Sequence, residues 1–277
     1  MSKLSPIVCN EYILRFEKTL LMGILNVTPD SFSDGGLFND VDSAVKHGKE
    51  MVLDGADLID IGGESTRPGA IPLSEKEELA RILPILTRLL NEVSVPISID
   101  TYKPNIANTC LKAGAHLIND ITGLIDPDMR KVVEKHKAPV ILMHMKGTPK
   151  TMQQNPVYHD VLGEISTFFE KQITIAREEG IHQIIIDPGI GFGKTREHNL
   201  LILKHLNIFK TLDCPICVGP SRKSFIGMIT GLPVKERLEG TLAAVTIAVM
   251  NGADVVRVHD VNECKRAIQI VDAIRSV

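Results

Sequence analysis

LMGILN (21–26), DLIDIG (57–62) and PISID (96–100) each carry a short apolar run to a polar side chain. Five later segments repeat the pattern: LIND (117–120), VILMH (140–144), IIID (184–187), ICVGPSRK (216–223) and VVRVH (255–259). The polar residues in question are Asn26, Asp60, Asp100, Asn119, His144, Asp187, Lys223 and Arg257. Strands this apolar are buried on both faces, as in a parallel sheet, and most are separated by stretches long enough for a helix. The pattern predicts an α/β fold, a (β/α)8 TIM barrel forming a single domain over residues 1–277. Active sites of such barrels lie at the C-terminal ends of the strands, where these polar residues fall.

Between the runs, helices are expected near 42–54, 74–92, 104–113, 127–137, 160–179, 198–209, 235–251 and 262–275. Ser74 followed by Glu77 fits a capping box, and Asp126-Pro127 places an N-cap before a proline at the first helical position. Pro84 is expected to kink the second helix. Residues 11–20 read as a short N-terminal β extension ahead of the first barrel strand. No low-complexity linker or charge block divides the chain.

The bulk properties are those of an enzyme with a large core. The chain has 277 residues, 44% of them hydrophobic, and a barrel of this kind needs about 250. A net charge of −3 and a pI near 6.3 give no global basic field for a nucleic-acid backbone or an anionic membrane. MSKLSPIVCNEYILRF at the N-terminus lacks the apolar core of a secretory signal, and Leu242–Met250 is about half the length that spans a bilayer. The expected location is the cytoplasm. Five scattered cysteines do not make a disulfide framework, and Cys214 and Cys217 form one isolated CxxC at a predicted strand.

Two loops follow the first two strands. Val27–Gly36 combines turn formers with an aromatic residue and two carboxylates; Gly62–Ala70 combines glycines with a hydroxyl pair and an arginine. Glycine-rich loops over a barrel mouth often close over substrate, whereas the plainer alternative is a pair of solvated turns. Pro188–Thr195 nearly spells a nucleotide-binding P-loop, but Pro188 stands where that motif needs its first glycine, so nucleotide hydrolysis is not expected.

LMGILNVTPDSFSDGG (21–36) and LIDIGGESTRPGA (58–70) resemble the two signature segments of the dihydropteroate synthase family of folate biosynthesis. The resemblance continues in order through SIDTYKP (98–104), LINDITG (117–123), LMHMKGTPKTMQQNP (142–156), IDPGIGFGK (186–194), SRKSFIG (221–227) and RVHDV (257–261). It implies a transferase that joins a dihydropterin methyl diphosphate to 4-aminobenzoate with Mg2+ present, releasing diphosphate, and that forms a homodimer.

By the same resemblance, Asp187 accepts two N–H groups from the pterin edge, Asp100 and Asn119 meet other ring nitrogens, and Lys223 donates to the 4-oxo group and N5. Thr66, Arg257 and His259 would bind the pterin and its diphosphate, and Asn26 would be the Mg2+ ligand. Phe32, Arg67, Pro68, Phe192 and Ser221, together with Lys223, match the aminobenzoate positions. The implied order is departure of diphosphate before attack by the amine, with Asp34 stabilising the cation and Arg67 ordering the closed state. Asp60 has no clear place: it either holds the second loop or pairs with an internal donor.

Bland alternatives stand beside these roles. Asp100 or Asp187 taken alone reads equally as an N-cap of the next helix, Phe32 and Phe192 as packing residues, and His259 as a cap. At the level of function the alternatives are a pterin-binding methyltransferase serving a corrinoid partner, which would not need the aminobenzoate loops, and a non-catalytic pterin-binding homologue, which should have lost Lys223, Arg257 or Asn26. Pro220, just before Ser221, departs from the family pattern and bears on the aminobenzoate pocket and on inhibitor response.

Overall fold

The computed structural model describes residues 4–27, 36–65 and 72–277, the side chains of 36–40 excepted. An antiparallel hairpin, β1 (Ile7–Cys9) and β2 (Tyr12–Leu14), precedes the first barrel strand β3 (Leu20–Asn26). The chain then alternates: α1 (Gly36–Leu53), β4 (Leu58–Gly62), α2 (Glu75–Glu92), β5 (Ile97–Asp100), α3 (Pro104–Lys112), β6 (Leu117–Asp120), α4 (Pro127–His136) and β7 (Val140–Met143). It continues with α5 (Val161–Glu178), β8 (Ile184–Asp187), α6 (Arg196–Lys204), β9 (Cys217–Val218), α7 (Ser224–Thr230), α8 (Leu238–Met250), β10 (Val255–Val258) and α9 (Val261–Arg275).

The barrel sheet runs β8-β7-β6-β5-β4-β3-β10-β9, every pair parallel, and a bridge between Ile186 and Ile216 joins its two ends. Alternation along each strand sorts side chains to two sides. Leu21, Leu25, Ile59, Ile61, Ile97, Ile99, Val256 and Val258 belong to the layer between strands and helices. Their neighbours Leu20, Met22, Leu58, Leu117, Ile141, Ile185, Cys217 and Val255 fill the barrel interior, and the hairpin's Ile7, Cys9 and Leu14 pack onto them as a floor. Two to four residues further along the strands the inward positions give way to the mouth, and Asn26, Gly62, Asp100 and Asn119 lie side by side in register. The floor is thus apolar and the mouth polar, which places the site.

Both cap expectations hold. Ser74 and Glu77 form the reciprocal capping box of α2, and Asp126 accepts from the Asp128 amide ahead of Pro127. Pro84 lies inside α2, which continues through it as one helix. The β extension expected at 11–20 is instead the hairpin over Ile7–Leu14, because Asn10 with φ 54 turns the chain earlier. The helix expected at 198–209 divides into α6 and a 3-10 segment, Leu206–Leu212, and the one expected at 235–251 is preceded by α7, which the apolar pattern did not separate from its strand. Among the described residues no helix is long and apolar enough to cross a membrane.

Candidate active site

Strand periodicity brings the polar ring together from distant parts of the chain. Asp60, from β4, is fully buried and accepts from Arg257 Nε at 2.6 Å and from Asn119 Nδ2 at 2.9 Å. Asp100, at the end of β5, accepts from Arg257 Nη2 at 2.7 Å. Arg257 is therefore held by two carboxylates, whose negative charge, working against burial, keeps it firmly protonated. Asp60 resolves to an internal partner: it orients one cation and one amide of the ring.

After these bonds, Asp60 Oδ1, Asp100 Oδ1 and Asn119 Oδ1 remain buried with no hydrogen-bond partner among the described residues. Unsatisfied buried acceptors are costly, and three on neighbouring strands mark a surface built to meet donors. Burial pushes the Asp100 carboxyl up, against the pull of Arg257, and likewise pushes up Asp187, whose Oδ1 accepts from the Gly189 amide at 2.7 Å. The N-cap alternatives fail for both, since Lys103 caps α3 and Thr195 caps α6.

Lys223 does not close a strand: β9 ends at Val218, and Lys223 is the N-cap residue of α7. A turn through Arg222, with φ 56, carries the chain between them. Its ammonium lies 4.1 Å from the centroid of the Phe192 ring, a cation–π contact, and its charge acts on Asp100, Asp187 and His259. Phe192 also packs with Ile121, Met143 and Met152, so it is both a packing residue and a wall of the mouth.

His259, one residue past β10, shares a 3.0 Å hydrogen bond between Nδ1 and Ser221 Oγ, and its amide donates to the same hydroxyl at 3.2 Å. Burial, with Arg257 nearby, depresses its pKa to about 3, so it is a neutral imidazole near pH 7. Ser221 is thereby joined to His259 rather than standing apart from it. Asn26 ends β3 half-buried; a Cβ on its neighbour Gly62 would lie 3.5 Å from Asn26 Oδ1 and 3.6 Å from Asp100 Oδ2. Phe32, Asp34, Thr66, Arg67 and Pro68 lie outside the described residues.

Two features escaped the sequence reading. Glu64 Oε2 accepts from Leu73 N at 2.7 Å and from Lys103 Nζ at 2.7 Å; Lys103 also reaches Leu73 O at 2.8 Å and Glu78 Oε2 at 2.6 Å. This buried knot ties the two flanks of segment 66–71 to α2 and α3. The second is Lys194, in the sequence that imitates a P-loop. The residue is 2% exposed and its ammonium is spent on protein acceptors, so it does not face a phosphate cradle. Cys214 and Cys217 are buried free thiols, and among the described residues no three His, Cys, Asp or Glu side chains group as a metal site.

Comparison with known proteins places this geometry. Residues 22–259 match the pterin binding enzyme family. The chain is 50% identical over 262 residues to a dihydropteroate synthase of Synechocystis sp., covering 93% of this chain and 91% of that protein. It superposes on the Yersinia pestis dihydropteroate synthase, solved with a sulfonamide drug, with a TM-score of 0.94 and 44% identity, covering 99% of this chain and all of that one. The Xanthomonas albilineans dihydropteroate synthase with 4-aminobenzoic acid gives a TM-score of 0.93 and 41% identity, covering 99% of each chain.

Proposed function

This chain belongs to the pterin binding enzymes, within the dihydropteroate synthase family, and we propose that the polar ring at its barrel mouth holds the pterin substrate. Its reaction condenses (7,8-dihydropterin-6-yl)methyl diphosphate with 4-aminobenzoate, giving 7,8-dihydropteroate and diphosphate. The observation that carries the pterin assignment is the set of buried acceptors on Asp60, Asp100 and Asn119 that find no partner among the described residues, beside Asp187.

A pterin edge presents a 2-amino group and an adjacent ring N–H, and a carboxylate accepts both in one plane. Asp187, its Oδ1 oriented by Gly189, takes that role; Asn119 Oδ1 and Asp100 Oδ1 accept from or position the remaining edge; Lys223 donates to the 4-oxo oxygen and approaches N5. Arg257, anchored by Asp60 and Asp100, presents its guanidinium to the pterin and diphosphate. Neutral His259 serves there as an N–H donor, and Thr66 joins them. Phe192 and Ser221, with Phe32, Arg67 and Pro68, receive the aminobenzoate. Pro220 adjoins Ser221 and bears on that pocket's shape.

Mg2+ suits this mouth: a hard cation that keeps most of its waters needs few protein oxygens, and Asn26 Oδ1 beside Asp100 supplies one, with no acidic cage among the described residues. Held by Asn26, the metal would neutralise charge on the departing diphosphate. The carbon–oxygen bond breaks with its electron pair leaving on diphosphate, and the electron-rich dihydropterin shares the positive charge left on the methylene. The aniline nitrogen, a weak nucleophile, then attacks that carbon and gives up a proton. Asp34 stabilises the cation and Arg67 orders the closed state, with no covalent enzyme intermediate.

Homodimer formation is supported by the exposed Ile247 and Met250 of α8 and Ile270 and Ile274 of α9, and we place the enzyme in the cytoplasm. The test is diphosphate release from the pterin substrate with Mg2+, with and without 4-aminobenzoate. Dihydropteroate formed in step with diphosphate is the expected result; tight pterin binding without coupled product would overturn it.

A further inference from the structure

Lys194 Nζ donates to His144 Nδ1 at 3.0 Å, to Phe192 O at 2.9 Å and to His144 O at 3.3 Å. An ammonium has three protons, so all three are used, and none is left for a ligand. Its acceptors lie on two different elements: His144 directly follows β7, and Phe192 belongs to the turn after β8. Between them sits Gly189, at φ +70, where a Cβ would lie 2.0 Å from His144 O and 3.3 Å from Lys194 Nζ. The Gly189 amide holds Asp187 Oδ1. Lys194 thus packs behind the turn whose front orients the Asp187 carboxylate and whose Phe192 ring supports Lys223.

We propose that Lys194 is a positioning residue for pterin binding: it staples the end of β7 to the Gly189–Phe192 turn and supplies the positive charge behind Asp187. Among the described residues no carboxylate accepts a hydrogen bond from it, and the carboxylate charge that acts on it is that of Asp187. Burial lowers the lysine to about 7, so the fold gains little by burying this charge. It also lowers His144 to about 2, leaving that ring a neutral acceptor. Asp187 in turn is faced by Lys223, Arg257 and Lys194, and Lys194 by Asp187, Lys223 and His144, with His198 and Lys146 nearby and Cys217 within electrostatic reach of Asp187.

This inference rests on the pterin reading of the mouth and is tested against it. Dihydropterin binding is measured by calorimetry across pH 5–8 for the parent, Lys194→Met, Lys194→Gln, Asp187→Asn and the Asp187→Asn/Lys194→Gln double variant. Lys194→Gln keeps donors for the two carbonyls without the charge, which guards against a fold lost in Lys194→Met. We expect a tenfold or greater loss of pterin affinity. The acid limb of binding should move to higher pH, because Asp187 protonates more readily once the cation is gone. The loss should shrink to twofold or less on the Asp187→Asn background. Parent-like affinity and acid limb in folded Lys194→Gln would overturn the inference, as would equal losses on both backgrounds. Failure of the parent itself to bind the pterin would instead refute the reading of the mouth.

Discussion

Asp120 and Asp187 both end barrel strands, yet they face opposite ways and have opposite duties. Asp120 points out of the barrel, and its oxygens are satisfied by Thr122 N at 2.8 Å, Thr122 Oγ1 at 2.7 Å and Leu124 N at 2.8 Å. Asp187 points in, with one oxygen on the Gly189 amide. A charge-assisted hydrogen bond contributes about 1.5–3 kcal/mol, so Asp187→Asn is expected to weaken pterin binding by roughly 10–100-fold. Calorimetry on the folded variant checks this; unchanged affinity would reduce the residue to a turn cap. His144 gives a second test at this scale. Its folded pKa, about 2, lies below the unfolded value near 6.5, so unfolding takes up a proton as pH falls. The contribution of His144 to stability should fall by about 1.4 kcal/mol per pH unit between about pH 6 and pH 4. Urea melts of the parent and His144→Asn should differ in slope by that amount, and identical slopes would contradict the neutral buried ring.

At the scale of elements, the Glu64–Lys103–Glu78 knot joins the end of β4, the start of α2 and the cap of α3. Breaking a buried ion pair costs about 3–5 kcal/mol because the remaining charge is stranded. Lys103→Met should lose stability on that order near pH 7. The loss should shrink toward pH 5, since burial already holds Glu78 above its usual range and it then takes up a proton. Urea melts at the two pH values check both points. The sequence made this scale only partly legible. Strands announced themselves through apolar runs, and caps such as Ser74 and Asp126 through local rules that act within four residues. The knot did not, because Glu64, Glu78 and Lys103 meet only after three elements have packed. Lys223 shows the same limit: its apolar lead-in resembles a strand end, but the left-handed turn at Arg222 moves it to the cap of α7. Lys194 was hidden by the P-loop likeness of its surroundings, and the direction of its side chain follows from packing against His144, which no local pattern encodes.

For the whole molecule, closing the barrel separates an apolar floor from a polar mouth. The floor depends on the hairpin, where Ile7, Cys9 and Leu14 cover Leu20, Leu58 and Val255. Leu14→Ala should destabilise the protein by about 2–4 kcal/mol through lost burial and the cavity left behind. Thermal melting measures the loss, while pterin affinity at a temperature where the variant stays folded should hold, because the hairpin lies at the opposite end from the ring. A large affinity loss there would mean that floor and mouth are not independent. A crystal structure with a dihydropterin bound is the decisive measurement on the mouth. The 2-amino edge is expected on Asp187, with the buried acceptors of Asn119 and Asp100 engaged by the ligand and Lys223 at the 4-oxo oxygen. A pterin seated elsewhere, with those acceptors still unmet, would contradict it.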